Sequence, residues 1–163
     1  GIFLWRSIKY AYESGMMSDF QRQGIITCLP KESRDRRYLK NWRPISLLNV
    51  DYKIASAAIA SRLKSVLPDV ISETQTGFLK NRYIGENTRI LYDLIMQYCQ
   101  DHEIPGLLVA IEFEKAFDTV KWEFIDKSLE SFNFGPVIRN WVKLFQTKSC
   151  SSIINSGTLS TFF

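Results

Sequence analysis

Residues 107–118 read LLVAIEFEKAFD, and no other stretch limits the fold as tightly. The apolar run from Leu107 to Ile111 is far too short for a membrane span and suits a buried strand. A strand is therefore predicted over 107–113, carrying Glu112 near its end, with a compact mixed-charge turn closing on Asp118. A carboxylate at the end of a buried strand is costly unless a cation meets it. A divalent metal is one such partner, and metal-assisted phosphoryl transfer is one chemistry that uses it. A neighbouring Lys or Arg is the other, and the stretch by itself leaves both open.

The chain of 163 residues, 45% of them hydrophobic, is long enough for one core of ordinary size. It begins at Gly1 and stops at Phe163 in mid-pattern, and is read as a piece of a larger unit. No run reaches the roughly 18 apolar residues of a membrane helix. The opening GIFLWRSIKYAYESG mixes charge with aromatics and is not a signal peptide. Cys28, Cys99 and Cys150 are far apart and form no CxxC pair, which argues against zinc and fits reduced thiols inside a cell. His102 is the single histidine, read as a solvated loop residue, so a paired-histidine metal site is excluded.

The net charge of +4 decides little, but its distribution says more. Residues 31–43 carry Lys31, Arg34, Arg36, Arg37, Lys40 and Arg43 against Glu32 and Asp35. Such an excess suits a phosphate partner, and equally a solvated loop.

Hydrophobic periodicity predicts a helix over 3–14 (Leu4, Ile8, Ala11, Tyr12) stopped by Gly15. Gly24–Leu29 reads as a strand ended by Pro30, and Ile45–Leu48 as a second one after a charged loop. A helix is predicted over 51–67 with Ala55, Ile59, Leu63 and Val66 on one face, Asp51 as N-cap and Pro68 as its end. Residues 72–85 are loop-like. A helix over 86–100 follows, with a stripe of Asn87, Leu91, Leu94, Ile95 and Tyr98, and then a Pro105–Gly106 turn. Helices over 122–132 and 136–147 are separated by Gly135–Pro136, with proline at the favoured first position. Residues 150–163 read as a hairpin turning at Asn155–Gly157. The stripes are core-forming, and the result is α+β with helices in excess.

Several segments together resemble one family. RQGIITCLPK (22–31), LKNWRPISLLNVDYKIASAAIASRLKSVLP (39–68), QTGFLKNRYIGENTRIL (75–91) and EFEKAFDTVKW (112–122) occur in the order and spacing of a LINE-type (non-long-terminal-repeat) retrotransposon reverse transcriptase. The wording of NWRPISLLN and FEKAFD resembles these elements more than maturase or telomerase polymerases. The resemblance implies a partial right-hand polymerase, helix-rich with a small, mainly antiparallel sheet. Residues of about 1–105 would be an N-terminal extension and fingers, and about 106–163 the start of the palm. It implies RNA-directed DNA synthesis on an RNA template and a DNA primer from deoxynucleoside triphosphates, with two Mg²⁺ ions in the complete enzyme. An intact element would work in the nucleus and cytoplasm, with no membrane partner.

Residue by residue, the resemblance makes Glu112 the counterpart of the first metal-binding aspartate, with the backbone oxygen of Phe113 as neighbouring ligand. Phe117 falls where an aromatic crowds the sugar 2′ position and excludes ribonucleotides. Lys31 and Arg43 match fingers positions that hold the incoming triphosphate, a task suited to forked donors. Gln75, Gly77, Phe78 and Arg82 match the family's QTGF…GR segment near the template. Arg36, Arg37 and Lys40 join the nucleic-acid set on the charge excess of their loop, not on a family match.

The chain departs from the family in three places. Glu112 replaces aspartate, adding about 1.5 Å of reach, and a misplacement of about 1 Å costs on the order of a hundredfold in rate. Asn81 stands where a glycine is usual. The paired-aspartate motif that completes the metal site is not in these residues, so polymerisation by them alone is not expected. A non-catalytic relic, at most a weak nucleic-acid-binding module, is the alternative.

Overall fold

The computed structural model describes residues 1–101 and 107–163. His102 and the Pro105–Gly106 turn lie outside them. The chain divides into two compact units, Gly1–Ile59 with Trp122–Phe163, and Ala60–Lys121.

The first unit opens with helix α1 (Ile2–Ser14), which ends where Gly15 adopts a left-handed conformation at φ 74°. A short helix α2 (Asp19–Arg22) follows, opened by a capping box in which Ser18 and Gln21 satisfy each other's backbone N–H. The S-x-x-Q spacing is the sequence signal for this element. Strands β1 (Gln23–Pro30) and β2 (Trp42–Leu48) pair antiparallel, from Gly24 opposite Leu48 to Pro30 opposite Trp42. Pro44 is accommodated because β2 is an edge strand.

Helices α5 (Trp122–Ser131) and α6 (Pro136–Gln146) form a hairpin, with Pro136 at the first turn as predicted. Strand β3 (Cys150–Asn155) then returns to pair in parallel with β1, and β4 (Thr158–Leu159) folds back on β3 through Ser156 and Gly157, both at positive φ. The order is β2-β1-β3-β4, with two of three pairings antiparallel.

The core of this unit is Ala11, Met17, Ala55 and Leu144, flanked by Ile8, Tyr12, Tyr52, Trp141 and Phe145. Tyr12 stacks on Trp141 with centroids 4.5 Å apart. Buried Gln21 ties α2 to its neighbours by donating to Ser7 Oγ (3.1 Å) and Asp51 Oδ2 (3.3 Å). Ser152, fully buried, donates to the Ser160 carbonyl at 2.7 Å.

Helix α3 (Val50–Val70) contains the boundary between the units, and α4 (Ile84–Asp101) belongs to the second. Two details of α3 differ from expectation. Asn49, not Asp51, caps it: the Asn49 side chain accepts from Asp51 N–H and its carbonyl from Lys53 N–H. The helix also continues past Pro68 to Val70. A proline in the last turn removes one N–H, and the carbonyls of Pro68 and Ile71 find donors in the Arg82 side chain.

The strand predicted over 107–113 does not form. Leu107, Leu108, Val109, Ile111 and Phe113 are all exposed, Leu107 to 89%. A strand needs a ladder partner for its backbone groups, and among the described residues this run pairs with none of the sheet's strands. The stripe on α4 is likewise present but open, with Leu91, Leu94 and Ile95 each more than a third exposed.

Candidate functional site

In the first unit the candidate residues gather on the β1–β2 hairpin. Leu29 faces Arg43 across the ladder, and the Lys31 N–H extends the pairing by one bond to the Asn41 carbonyl at 2.8 Å. Side chains alternate along a strand and directly opposed residues share a face. Lys31, two residues after Leu29, therefore shares its face with Arg43 as a diagonal neighbour. Lys31 Nζ also donates to the Lys40 carbonyl at 2.9 Å, closing the base of the loop.

The loop above them is shaped by two side chains. Trp42 Nε1 donates to the Arg36 carbonyl at 2.8 Å, and Asn41 Nδ2 donates to the Asp35 carbonyl at 2.8 Å. Arg37 forks onto Asp35, with Nε and Nη2 both within 3.1 Å of Oδ2. These side-chain bonds, joined by the Arg37 backbone N–H, hold the Asp35 carboxyl below its ordinary value, and Asp35 raises Arg37 in turn. Lys40 lies over the Tyr38 ring at 5.6 Å. The guanidinium groups of Arg34, Arg36 and Arg43 are exposed and have no hydrogen-bond or ion-pair partner among the described residues. The hairpin thus carries three guanidinium groups unpaired among the described residues, and such cations attract phosphate.

In the second unit, residues 114–119 make a tight turn. Lys115 has φ 51°, and its carbonyl accepts from Asp118 N–H (2.9 Å) and from both the N–H (3.1 Å) and the hydroxyl (3.3 Å) of Thr119. Asp118 therefore closes the turn through its backbone. Glu112, Phe113 and Phe117 are exposed.

The QTGF segment lies in the same unit and is held by side-chain hydrogen bonds, most of them from one arginine. Arg82 donates to the carbonyls of Pro68 and Ile71 at 3.0 Å, of Gln75 at 2.8 Å, and of Ser72. Asn87, on the first turn of α4, donates to the Thr74 carbonyl (3.2 Å) and to the hydroxyl of buried Thr76 (3.1 Å). Gln75 Nε2 bonds the Gly77 carbonyl at 3.3 Å. Asn81 has φ 64°, which explains why glycine suits that position and why asparagine is tolerated. Phe78, at φ 63°, projects an exposed ring that meets Phe117 edge to face, with centroids 5.8 Å apart. Nothing in the sequence pattern singles out Thr76, and periodicity places Asn87 only in a helical stripe.

Hard cations such as Mg²⁺ need several oxygen ligands. Glu112 offers one carboxylate and Phe113 one backbone oxygen, and among the described residues no three His, Cys, Asp or Glu side chains converge. These residues do not fit a two-ion centre by themselves. The structure thus gathers Lys31, Arg36, Arg37, Lys40 and Arg43 on one hairpin, and Gln75, Gly77, Phe78, Arg82, Glu112, Phe113 and Phe117 in the other unit.

Comparison with known proteins adds two findings. A family model described as reverse transcriptase (RNA-dependent DNA polymerase) matches residues 29–162, a span that includes every candidate residue. The chain is also 34% identical over 151 residues to a protein of Xenopus laevis described as the transposon TX1 uncharacterized 149 kDa protein. That alignment takes in 92% of this chain and 11% of the relative, so the chain spans only a small part of the relative's length.

Proposed function

This chain belongs to the reverse transcriptase (RNA-dependent DNA polymerase) family, and from that premise we propose that it forms part of an RNA-directed DNA polymerase of a LINE-type retrotransposon. The observation that carries the proposal is the family match itself, whose span of residues 29–162 takes in the basic loop, the QTGF loop and the EFEKAFD turn. The NWRPISLLN and FEKAFD wording supports the LINE-type assignment within it.

In this reading residues of about 1–105 are the N-terminal extension and fingers, and 106–163 begin the palm. Lys31 and Arg43, sharing one hairpin face, hold the triphosphate of the incoming deoxynucleotide. Arg36, Arg37 and Lys40 contact nucleic-acid phosphates, and Gln75, Gly77 and Phe78 lie near the template on a loop shaped by Arg82. Phe117 crowds the sugar 2′ position. Glu112 and the Phe113 carbonyl contribute to a Mg²⁺ centre whose remaining carboxylates come from outside these residues. The partners are an RNA template and a DNA primer, which makes the working compartment the nucleus and cytoplasm.

The second reading, a non-catalytic relic, is favoured by one observation: Glu112 stands where the family has aspartate, with no converging carboxylates around it among the described residues. Primer extension separates the two. The full-length parent polypeptide is expected to extend a DNA primer on an RNA template, and residues 1–163 alone are not, with either Mg²⁺ or Mn²⁺. In the parent, Arg43→Ala is expected to raise KM for the deoxynucleotide by about 10- to 100-fold, matching the removal of a charge-assisted hydrogen bond. No extension by the parent, or extension indifferent to Arg43, would overturn the polymerase reading.

A further inference from the structure

Two backbone turns in the second unit are held in conformations that non-glycine residues rarely adopt, and both serve one ring contact. Phe78 sits at φ 63°, in the left-handed region that a bulky residue disfavours. Such strain persists only when the surroundings over-determine it. Here they do: Arg82 donates to four carbonyls of the 68–75 stretch, Asn87 pins Thr74 and Thr76, and Gln75 bonds the Gly77 carbonyl. Yet the Phe78 ring that this framework presents is 87% exposed, so local burial does not account for it.

The 114–119 turn mirrors this arrangement. Lys115, at φ 51°, anchors the turn through its carbonyl, and the turn presents Phe117, 81% exposed. Among the described residues the aromatic partner of Phe117 is Phe78, with an interplanar angle of 87° and centroids 5.8 Å apart. That is a favoured edge-to-face geometry, which biases ring orientation as well as proximity.

We propose that Phe78 is a positioning residue for Phe117, and that it thereby sets the discrimination between deoxyribonucleotides and ribonucleotides. The inference rests on the reading of Phe117 as the ring that crowds the sugar 2′ position. A ring excludes one extra hydroxyl only if it cannot tilt away, and the turn that carries Phe117 offers it little other packing. The Phe78 ring supplies the missing stop. The QTGF loop then acts on sugar selection through a ring contact, in addition to any contact with the template.

The test uses the full-length parent polypeptide in primer extension on an RNA template, measuring kcat/KM for a deoxynucleotide and for the matching ribonucleotide. Phe78→Ala is expected to lower the ratio by about three- to tenfold, the worth of one edge-to-face pair; any loss of template contact lowers incorporation of both nucleotides alike and leaves the ratio as the readout. Phe78→Tyr keeps the ring and is expected to restore the ratio, whereas Phe78→Leu is not. Phe117→Ala is expected to lower the ratio at least as much as Phe78→Ala. Because the Phe78 side chain is exposed, removing it opens no core. A ratio that falls with Phe117→Ala but stands unchanged in Phe78→Ala would overturn the inference and leave the polymerase reading intact. A ratio indifferent to Phe117→Ala would remove its premise. Failure of the wild-type polypeptide to incorporate deoxynucleotides at all would overturn both readings together.

Discussion

Arg82 donates to the carbonyl oxygen of Pro68, fourteen residues earlier, at 3.0 Å, and through the same nitrogen to that of Ile71 at the same distance. This side chain supplies donors to carbonyls at the C-terminal end of α3. Removing it as Arg82→Ala is expected to cost about 2 kcal/mol locally, the range for hydrogen bonds to a charged donor. Arg82→Lys is expected to recover only part, since an ammonium cannot reproduce the fork. Amide hydrogen exchange should speed up over residues 68–80 while β1 and β2 keep their protection. Unchanged exchange in that loop would refute the capping role.

Tyr52 and Phe145 are joined by a ring contact, with centroids 5.3 Å apart, and by a hydrogen bond from the Tyr52 hydroxyl to the Phe145 carbonyl at 3.1 Å. Tyr52→Phe keeps the ring and deletes the bond. The carbonyl retains Ser149 Oγ as a donor at 3.2 Å, so the destabilisation is expected to be small, about 1 kcal/mol. Burial raises the Tyr52 phenol above its ordinary value of 10.0. Above that pH the unfolded chain releases a proton that the folded chain retains, so folding stability falls as pH rises through the raised value. Denaturant unfolding between about pH 9 and 11 should show a shallower decline in Tyr52→Phe than in wild type. Parallel declines would sink the assignment.

The elements that could be read from sequence are those whose determinants are local. Gly15 ends α1, Pro136 starts α6, and Ser156–Gly157 turns the last hairpin through torsions written into those few residues. Lys31 and Arg43 are recognisable as a pair from family likeness, but their shared face is a product of strand register. What escapes the sequence is non-local. Pro68 looks like a helix end until Arg82 arrives from a later loop. LLVAI looks like a buried strand because composition reports β preference, whereas a strand also requires a ladder partner. The contact between Phe78 and Phe117 joins turns 39 positions apart, and no periodicity announces it.

Asp126 and Arg139 close the α5–α6 hairpin, with Nε to Oδ1 at 2.9 Å and Nη2 to Oδ2 at 2.8 Å, while Nη1 reaches Glu130 at 2.7 Å. The hydrogen bonds from Arg139 hold the Asp126 carboxyl below its ordinary 3.8. A lowered carboxylate contributes stability that is fully present above the unfolded value and is lost as pH falls through the folded one. Asp126→Asn should therefore narrow its deficit against wild type as pH drops below about 4, as followed by thermal unfolding. Both side chains are partly exposed, so added salt should shrink the difference at neutral pH. A deficit that grows on acidification would contradict the pairing.

The loop between β1 and β2 makes a graded prediction, because its cations are not equivalent. Arg36 is free of ionic partners among the described residues, whereas Arg37 is already forked onto Asp35. A phosphate must compete with Asp35 for Arg37 but not for Arg36. Single-stranded RNA binding, followed by fluorescence anisotropy across a salt series, should therefore weaken more in Arg36→Ala than in Arg37→Ala. Asp35→Ala should strengthen it by freeing Arg37. Replacing Arg36, Arg37 and Lys40 together should reduce the slope of log affinity against log salt by about 2, near 0.7 for each phosphate no longer neutralised. Equal effects of Arg36 and Arg37 would mean that the Asp35 pair does not persist in solution. A slope untouched by the triple change would move the nucleic-acid interface away from this hairpin altogether.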